Sequence, residues 1–329
     1  EDSFVSITLN LDEPYLRLSL GESITYFIGE KKEPYGRIEQ FLFQYIHKVL
    51  LENGIGYANE QFYQLKIPTD VGFDLSSSNL ASVMYSVNKL QNENLDEKGY
   101  KNGKFIINNE EFCKDSIFYL LDMLKANSLD NPTRDDLGPF ASFIPDVDIV
   151  LNTDMGTEPA DFILSSNQKL VYVHVKCDDK KRPMSSAGAL AEVGSQAIKN
   201  IGMLISSELG QKPGNWTRLK TAWPSENAKD RIQERIRIFN GKRFTAKDDF
   251  EREDKLNEVW DVIARRRRST AVQKEVWIVV GNAFSLQHFQ DQLASGKANS
   301  ESLQAYQLVS SWLSTAHNND VALKIFVSE

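Results

Sequence analysis

KLVYVHVKC, residues 169–177, alternates valines with larger polar side chains. In an extended strand, residues two apart share a face. Val171, Val173 and Val175 therefore point one way, and Tyr172, His174 and Lys176 the other. The valines are expected to face a core. The opposite face ends with an imidazole and an ammonium side by side. Two further apolar runs stand just upstream, VDIVLN (147–152) and ADFILS (160–165), with gaps short enough for hairpins. Downstream, after a polar break at Pro183, residues 186–206 space Leu190, Val193, Ala197, Ile201 and Leu204 by three or four, as one buried helical stripe requires. KEVWIVVG (274–281) and VALKIFVS (321–328) read as buried strands, with helices expected at 285–295 and 299–316. Strand, strand, strand, helix, strand is the order of a mixed central sheet flanked by helices, an α/β fold.

Toward the N-terminus the texture differs. SITLNLD and YLRLSLG, within 4–29, alternate as strands do, and QFYQLKI near 61–67 reads as a third. Ile38, Leu42, Tyr45, Ile46 and Val49 have helical spacing, with Asn53-Gly54 as a stop. Helices are also expected over 80–90 and from a cap at Asn109 to Ala126, with a polar loop at 91–104. NSLDNPTRDDLGP (127–139) is rich in turn residues and is the expected domain boundary. The division is thus an N-terminal α+β domain over 1–135, with no role assigned, and a second domain over 136–329.

Composition bounds the class. With 41% hydrophobic and 26% charged residues the chain is globular rather than disordered. No apolar run is long enough for a membrane helix. Two cysteines, Cys113 and Cys177, cannot build a disulfide framework, so a reducing, cytoplasmic compartment is expected. The chain starts at Glu1 without a leader, which reads as a piece cut from a longer protein. The histidines His47, His174, His288 and His317 show no zinc spacing, and there is no phosphate-binding loop, dinucleotide fingerprint or nucleophile elbow.

The net charge of −8 excludes a uniformly basic coat, but residues 211–274 hold 17 Lys and Arg against 10 Asp and Glu. This segment is expected to be a basic helical insertion, with helices at AKDRIQERIRIF (228–239) and 251–266. Arg231, Arg235 and Arg237 would share one helical surface, and Arg265, Arg266, Arg267 and Arg268 are consecutive. Trp216 and Trp223 stand near Arg218 and Lys220. Such residues can hold phosphates and stack on unpaired bases; a solvated helical face is the other reading.

Chemistry concentrates around the first strands. Asp161 opens the strand before KLVYVHVKC, with Asp154 and Glu158 upstream in TDMGTEPAD (153–161). An Asp on one strand, a spaced Lys near the end of the next, then a helix: this resembles the PD-(D/E)XK nuclease superfamily, the restriction-endonuclease-like fold. The resemblance covers about 147–206 and the strand at 274–281. It implies that Asp161 binds a divalent cation, Mg²⁺ or Mn²⁺, and that Lys176 positions the attacking water. His174 stands where that family usually has an acid, and is expected to act as a neutral catalytic partner, a metal ligand or proton acceptor. The second oxygen donor is then expected from Glu192 or Gln196 in AEVGSQAIKN (191–200), with Asp154 and Glu158 as the remaining donors; Lys199 lies farther round the helix. An imidazole in place of an acid should tilt the site toward Mn²⁺. The same runs look like a nuclease domain of bacterial antiviral defence systems, often fused or paired with a helicase or other ATPase. The resemblance therefore implies a metal-dependent deoxyribonuclease acting on DNA. The alternative is a catalytically inactive relative that binds nucleic acid or serves as a scaffold for a partner ATPase.

Overall fold

The structure is a computed structural model. It describes short strand segments between residues 7 and 64, Leu80, and residues 83–129, 131–156, 158–179, 183–205, 212–224 and 230–329. The chain divides into two compact units, 1–71 and 72–329. In the first, Ile7–Asn10 pairs antiparallel with Arg17–Leu20, and Lys48–Leu51, Ile55–Ala58 and Gln61–Gln64 form a three-stranded antiparallel meander. Residues 48–51 are thus strand, not the end of a helix. Asn-Gly between two β-prone runs is a hairpin signal, and here it outweighs the helical spacing.

The second unit is built on one eight-stranded mixed sheet. Its strands are β1 (Met84–Ser86), β2 (Ile149–Asn152), β3 (Phe162–Ser165), β4 (Lys169–Cys177), β5 (Ile236–Phe239), β6 (Lys242–Arg243), β7 (Gln273–Gly281) and β8 (Val321–Val327). The spatial order is β6-β5-β2-β3-β4-β7-β8-β1. Neighbours from β6 to β4 are antiparallel; β4, β7, β8 and β1 are parallel. The meander β2-β3-β4, a crossover, and β7 beside β4 follow the order read from the sequence.

The helices are α1 (Ile117–Asp122), α2 (Ala187–Lys199), α3 (Ile201–Ile205), α4 (Asp249–Arg268), α5 (Leu286–Ala294) and α6 (Ser300–His317). They leave both faces of β4 buried. Leu170 and Tyr172 join Leu190, Val193 and Ala197 of α2 and Val259 and Ile263 of α4 in one cluster. Val171, Val173 and Val175 join Ile117, Phe118 and Leu121 of α1 in the other. Tyr172 and His174 therefore occupy a second core face, not an open one. Period-two alternation separates the two faces of a strand, but it does not say which face a helix will cover. Gly194 lets α2 sit tight against α6, because a Cβ there would meet the Trp312 ring at 2.1 Å.

Residues 127–139 belong to the larger unit, and residues 87–124 share a cluster with residues of β3, β4 and β7. Three other expectations change. The helix expected from a cap at Asn109 instead starts at Ile117 with Ser116 as its cap, and Ile107–Asn108 pairs antiparallel with Glu111–Phe112. The expected helix at 80–90 is instead β1 followed by a 3-10 turn at Asn88–Leu90. The expected basic helix ends as strand β5, all four of whose residues are buried. The alternation in ERIRIF serves a buried strand whose arginines find internal partners, which local spacing does not reveal.

Candidate metal centre

The loop from β2 to β3 is closed at its base by its own polar groups. The Thr153 amide donates to the Asp161 carbonyl at 2.8 Å, and the Thr153 hydroxyl to the Ala160 carbonyl at 2.6 Å. Asn200 donates to the Pro159 carbonyl at 3.0 Å, Arg218 to the Met155 carbonyl at 3.1 Å, and Arg235 to the Asp154 carbonyl at 2.6 Å. This bracing turns three acids inward. Ligand oxygens of Asp154, Glu158 and Asp161 lie within 4.8 Å of one another, and this is the sole group of its kind among the described residues.

Asp161 sits directly before β3, opposite His174. Its amide donates to the Val173 carbonyl, and its Oδ2 accepts from the Val175 amide at 2.9 Å. The carboxylate is thus fixed one residue short of Lys176. Burial pushes its pKa up to about 8; Lys98 opposes the shift, while Asp154 and Glu97 add to it.

The polar loop read at 91–104 completes the cluster, a role its sequence does not mark. Asp96 Oδ1 accepts from the amides of Lys98, Gly99 and Tyr100, a local turn that aspartate favours. Gly99 has a φ of +83°, and a Cβ there would meet that of Cys113 at 2.3 Å. The turn delivers Lys98 to the acids: its Nζ is 3.0 Å from Asp154 Oδ1 and 4.0 Å from Asp161 Oδ1. Burial alone would lower the pKa of Lys98, but Asp154, Asp161 and Glu97 raise it above the ordinary lysine range. Trp223 Nε1 donates to the other Asp154 oxygen at 2.8 Å.

Lys176 projects from the end of β4 and bonds Glu192 Oε1 at 2.9 Å, with Glu97 at 4.0 Å. That hydrogen bond raises its pKa. Glu192 is thus brought to Lys176 and is not one of the three converging acids. Gln196 and Lys199 are exposed on α2, and Gln196 forms no side-chain hydrogen bond with the described residues. His174 is buried, its Nε2 has no hydrogen-bond partner among the described residues, and burial holds its pKa down to about 4. It is therefore a neutral imidazole near pH 7. Cys177 is pushed up to about 12, chiefly by burial, which disfavours a reactive thiolate.

The basic residues expected to meet nucleic acid separate into two groups. Arg235 is buried, bonded to Thr221, Asn152 and Asp154. Arg266 is committed to Asp148 and Ser165, and Arg267 is buried beside Trp260. Trp216 and Trp223 are core residues and offer no surface for stacking. Arg231, Arg265 and Arg268 are exposed. Of the partners of Arg266, Ser165 ends β3 at the β3–β4 turn, and Asp148, just before β2, is bonded to Ser165 through its amide. Seven residues of strand, at about 3.3 Å each, put that end of β4 ~23 Å from Lys176.

Of this site the sequence supplied Asp161, Lys176, Asp154 and Glu158. Lys98 and Glu97 escaped it, because nothing in a polar loop marks which acid it will meet after folding. Comparison of the chain with protein-family models, with curated proteins and with solved structures returns no match.

Proposed function

We propose that this protein is a metal-dependent nuclease of the restriction-endonuclease-like type, hydrolysing phosphodiester bonds in DNA. The observation that carries the reading is the convergence of Asp154, Glu158 and Asp161, with Asp161 bonded to the Val175 amide beside strand-end Lys176. The strand order β2-β3-β4, helix α2, then β7 parallel to β4 agrees with it.

Three carboxylates are a hard oxygen donor set that fits Mg²⁺ or Mn²⁺. Asp161 also carries a proton near neutral pH that a cation would displace. A divalent cation bound there supplies a more acidic water and charge relief at phosphorus. Asp154, Glu158 and Asp161 would hold it. Lys98 holds the Asp154 carboxylate in place. Lys176, oriented by Glu192, puts fixed positive charge where negative charge develops on the phosphate. His174, neutral and beside Asp161, adds no positive charge to the centre.

A second reading has its own observation. Lys98 already neutralises Asp154, so the cluster could be a closed ion-pair network in an inactive module that binds nucleic acid or serves a partner ATPase. Cleavage of labelled single- and double-stranded DNA with Mg²⁺ and with Mn²⁺ separates the two. Under the nuclease reading, Asp161→Asn and Lys176→Ala each lose about 100-fold or more, equivalent to ~2.7 kcal/mol of barrier. Undiminished cleavage by Asp161→Asn removes the site assignment. Metal-independent DNA binding without cleavage by the wild type establishes the inactive module.

A further inference from the structure

We infer that a separate cavity on the helical face of β4 binds a small organic oxyanion, a phosphate monoester or a carboxylate, through Arg267. The cavity has a volume of about 300 Å³, and its lining includes Tyr172, Met203, Lys212, Pro213, Trp260 and Arg267. That volume is at the lower end for small-molecule sites.

Arg267 is the reason. It is 7% exposed, in the last turn of α4, with its guanidinium carbon 5.5 Å from the centre of the Trp260 ring. Its Nε is buried without a hydrogen-bond partner, and it forms no ion pair among the described residues. Every other buried arginine among the described residues is answered: Arg235 by Asn152 and two carbonyls, Arg237 by Asp122. A buried guanidinium without an anion is costly. No acid among the described residues lines the cavity, and each polar side chain there, Tyr172, Lys212, Trp260 and Arg267, carries a donor. Lys212 spends one N–H on Asn257 and keeps two. The Tyr172 hydroxyl has only a 3.5 Å contact to the Met203 carbonyl, too long to hold it firmly.

A planar guanidinium fork matches the paired oxygens of a carboxylate or phosphate. The charged end of the ligand meets Arg267, Tyr172 and Lys212, and its apolar body rests on Met203, Pro213 and Trp260. Asp154, Glu158 and Asp161 are absent from this lining, so the inference stands apart from the nuclease reading.

The test titrates the full chain with phenyl phosphate, benzoate, inorganic phosphate and uncharged phenol, followed by calorimetry and melting temperature. Phenyl phosphate or benzoate should bind and raise the melting temperature, with phenol inert; the tighter of the two identifies the oxyanion. Arg267→Gln should weaken that binding by about tenfold or more, and Tyr172→Phe by a smaller factor while keeping the ring packing. Should Arg267→Gln fail to fold, undiminished binding by Tyr172→Phe and Lys212→Gln overturns the inference. It is also overturned if neither organic anion binds, if phenol binds as well as they do, or if folded Arg267→Gln binds undiminished.

Discussion

Lys98 Nζ lies 3.0 Å from Asp154 Oδ1, joining a turn that precedes α1 to the loop between β2 and β3. The same ammonium faces Asp161 at 4.0 Å. A cation from one loop thus holds together acids from another, and its removal should be felt twice. Lys98→Met is expected to lower stability in chelator by about 1–3 kcal/mol, the usual range for leaving a partly buried polar group unpaired. Added Mn²⁺ should restore much of that loss, because a bound cation stabilises the folded state. Thermal melts with chelator and with Mn²⁺ check it; a variant as stable as the wild type in chelator contradicts it.

His174 makes stability sensitive to acid. Its folded pKa is about 4 against an ordinary 6.5. Below 6.5 the unfolded chain therefore binds the proton that the folded chain refuses. The contribution is fully present above that value and is lost as pH falls toward 4, by up to ~1.4 kcal/mol per pH unit. Asp161, whose folded pKa is raised, works in the opposite sense but is common to wild type and variant. In urea unfolding series across this range, His174→Leu should lose less stability on acidification than the wild type. Parallel curves would show that the imidazole does not titrate as its burial requires.

Arg237 and Asp122 form a buried pair at 2.7 Å, and Arg237 Nη2 reaches the other Asp122 oxygen at 3.0 Å. Burial opposes the Asp122 charge, but Arg237 and Lys125 still hold its pKa below the usual carboxylate range. Arg237→Met leaves that carboxylate only Lys125. It is expected to cost about 3–5 kcal/mol, read by urea unfolding, whereas the same change at exposed Arg231 should cost under ~0.5 kcal/mol.

Among the four consecutive arginines, Arg265 and Arg268 are the exposed pair. The double variant Arg265→Gln/Arg268→Gln should weaken DNA binding at low salt and reduce the slope of log affinity against log salt by up to ~2, with little change in melting temperature. Arg266→Gln should instead destabilise the fold through Asp148. An unchanged slope in the double variant returns those arginines to an ordinary solvated surface.

The meander, its crossover helix and the last strands were legible because they rest on local periodicity. Valines two apart in β4 and apolar residues three or four apart in α2 report a face without reference to the rest of the chain. For the same reason Asp161 and Lys176 could be placed near each other: a hairpin brings neighbouring strands into register. Period alone does not settle strand against helix in a short apolar run, and both 48–51 and ERIRIF turned on this. Nor does it say what lies on the other side of a strand, where α2 and α4 cover Tyr172. The partners of charged groups were farther still from view. Arg235 and Arg237 look like surface cations in sequence; internal carbonyls, Asn152 and Asp122 make them core residues. Lys98 looks like loop and becomes the counter-ion of the acids. Charge carries no record of its partner along the chain. That pairing exists only once strands distant in sequence are brought side by side, and there burial multiplies the strength of each electrostatic contact.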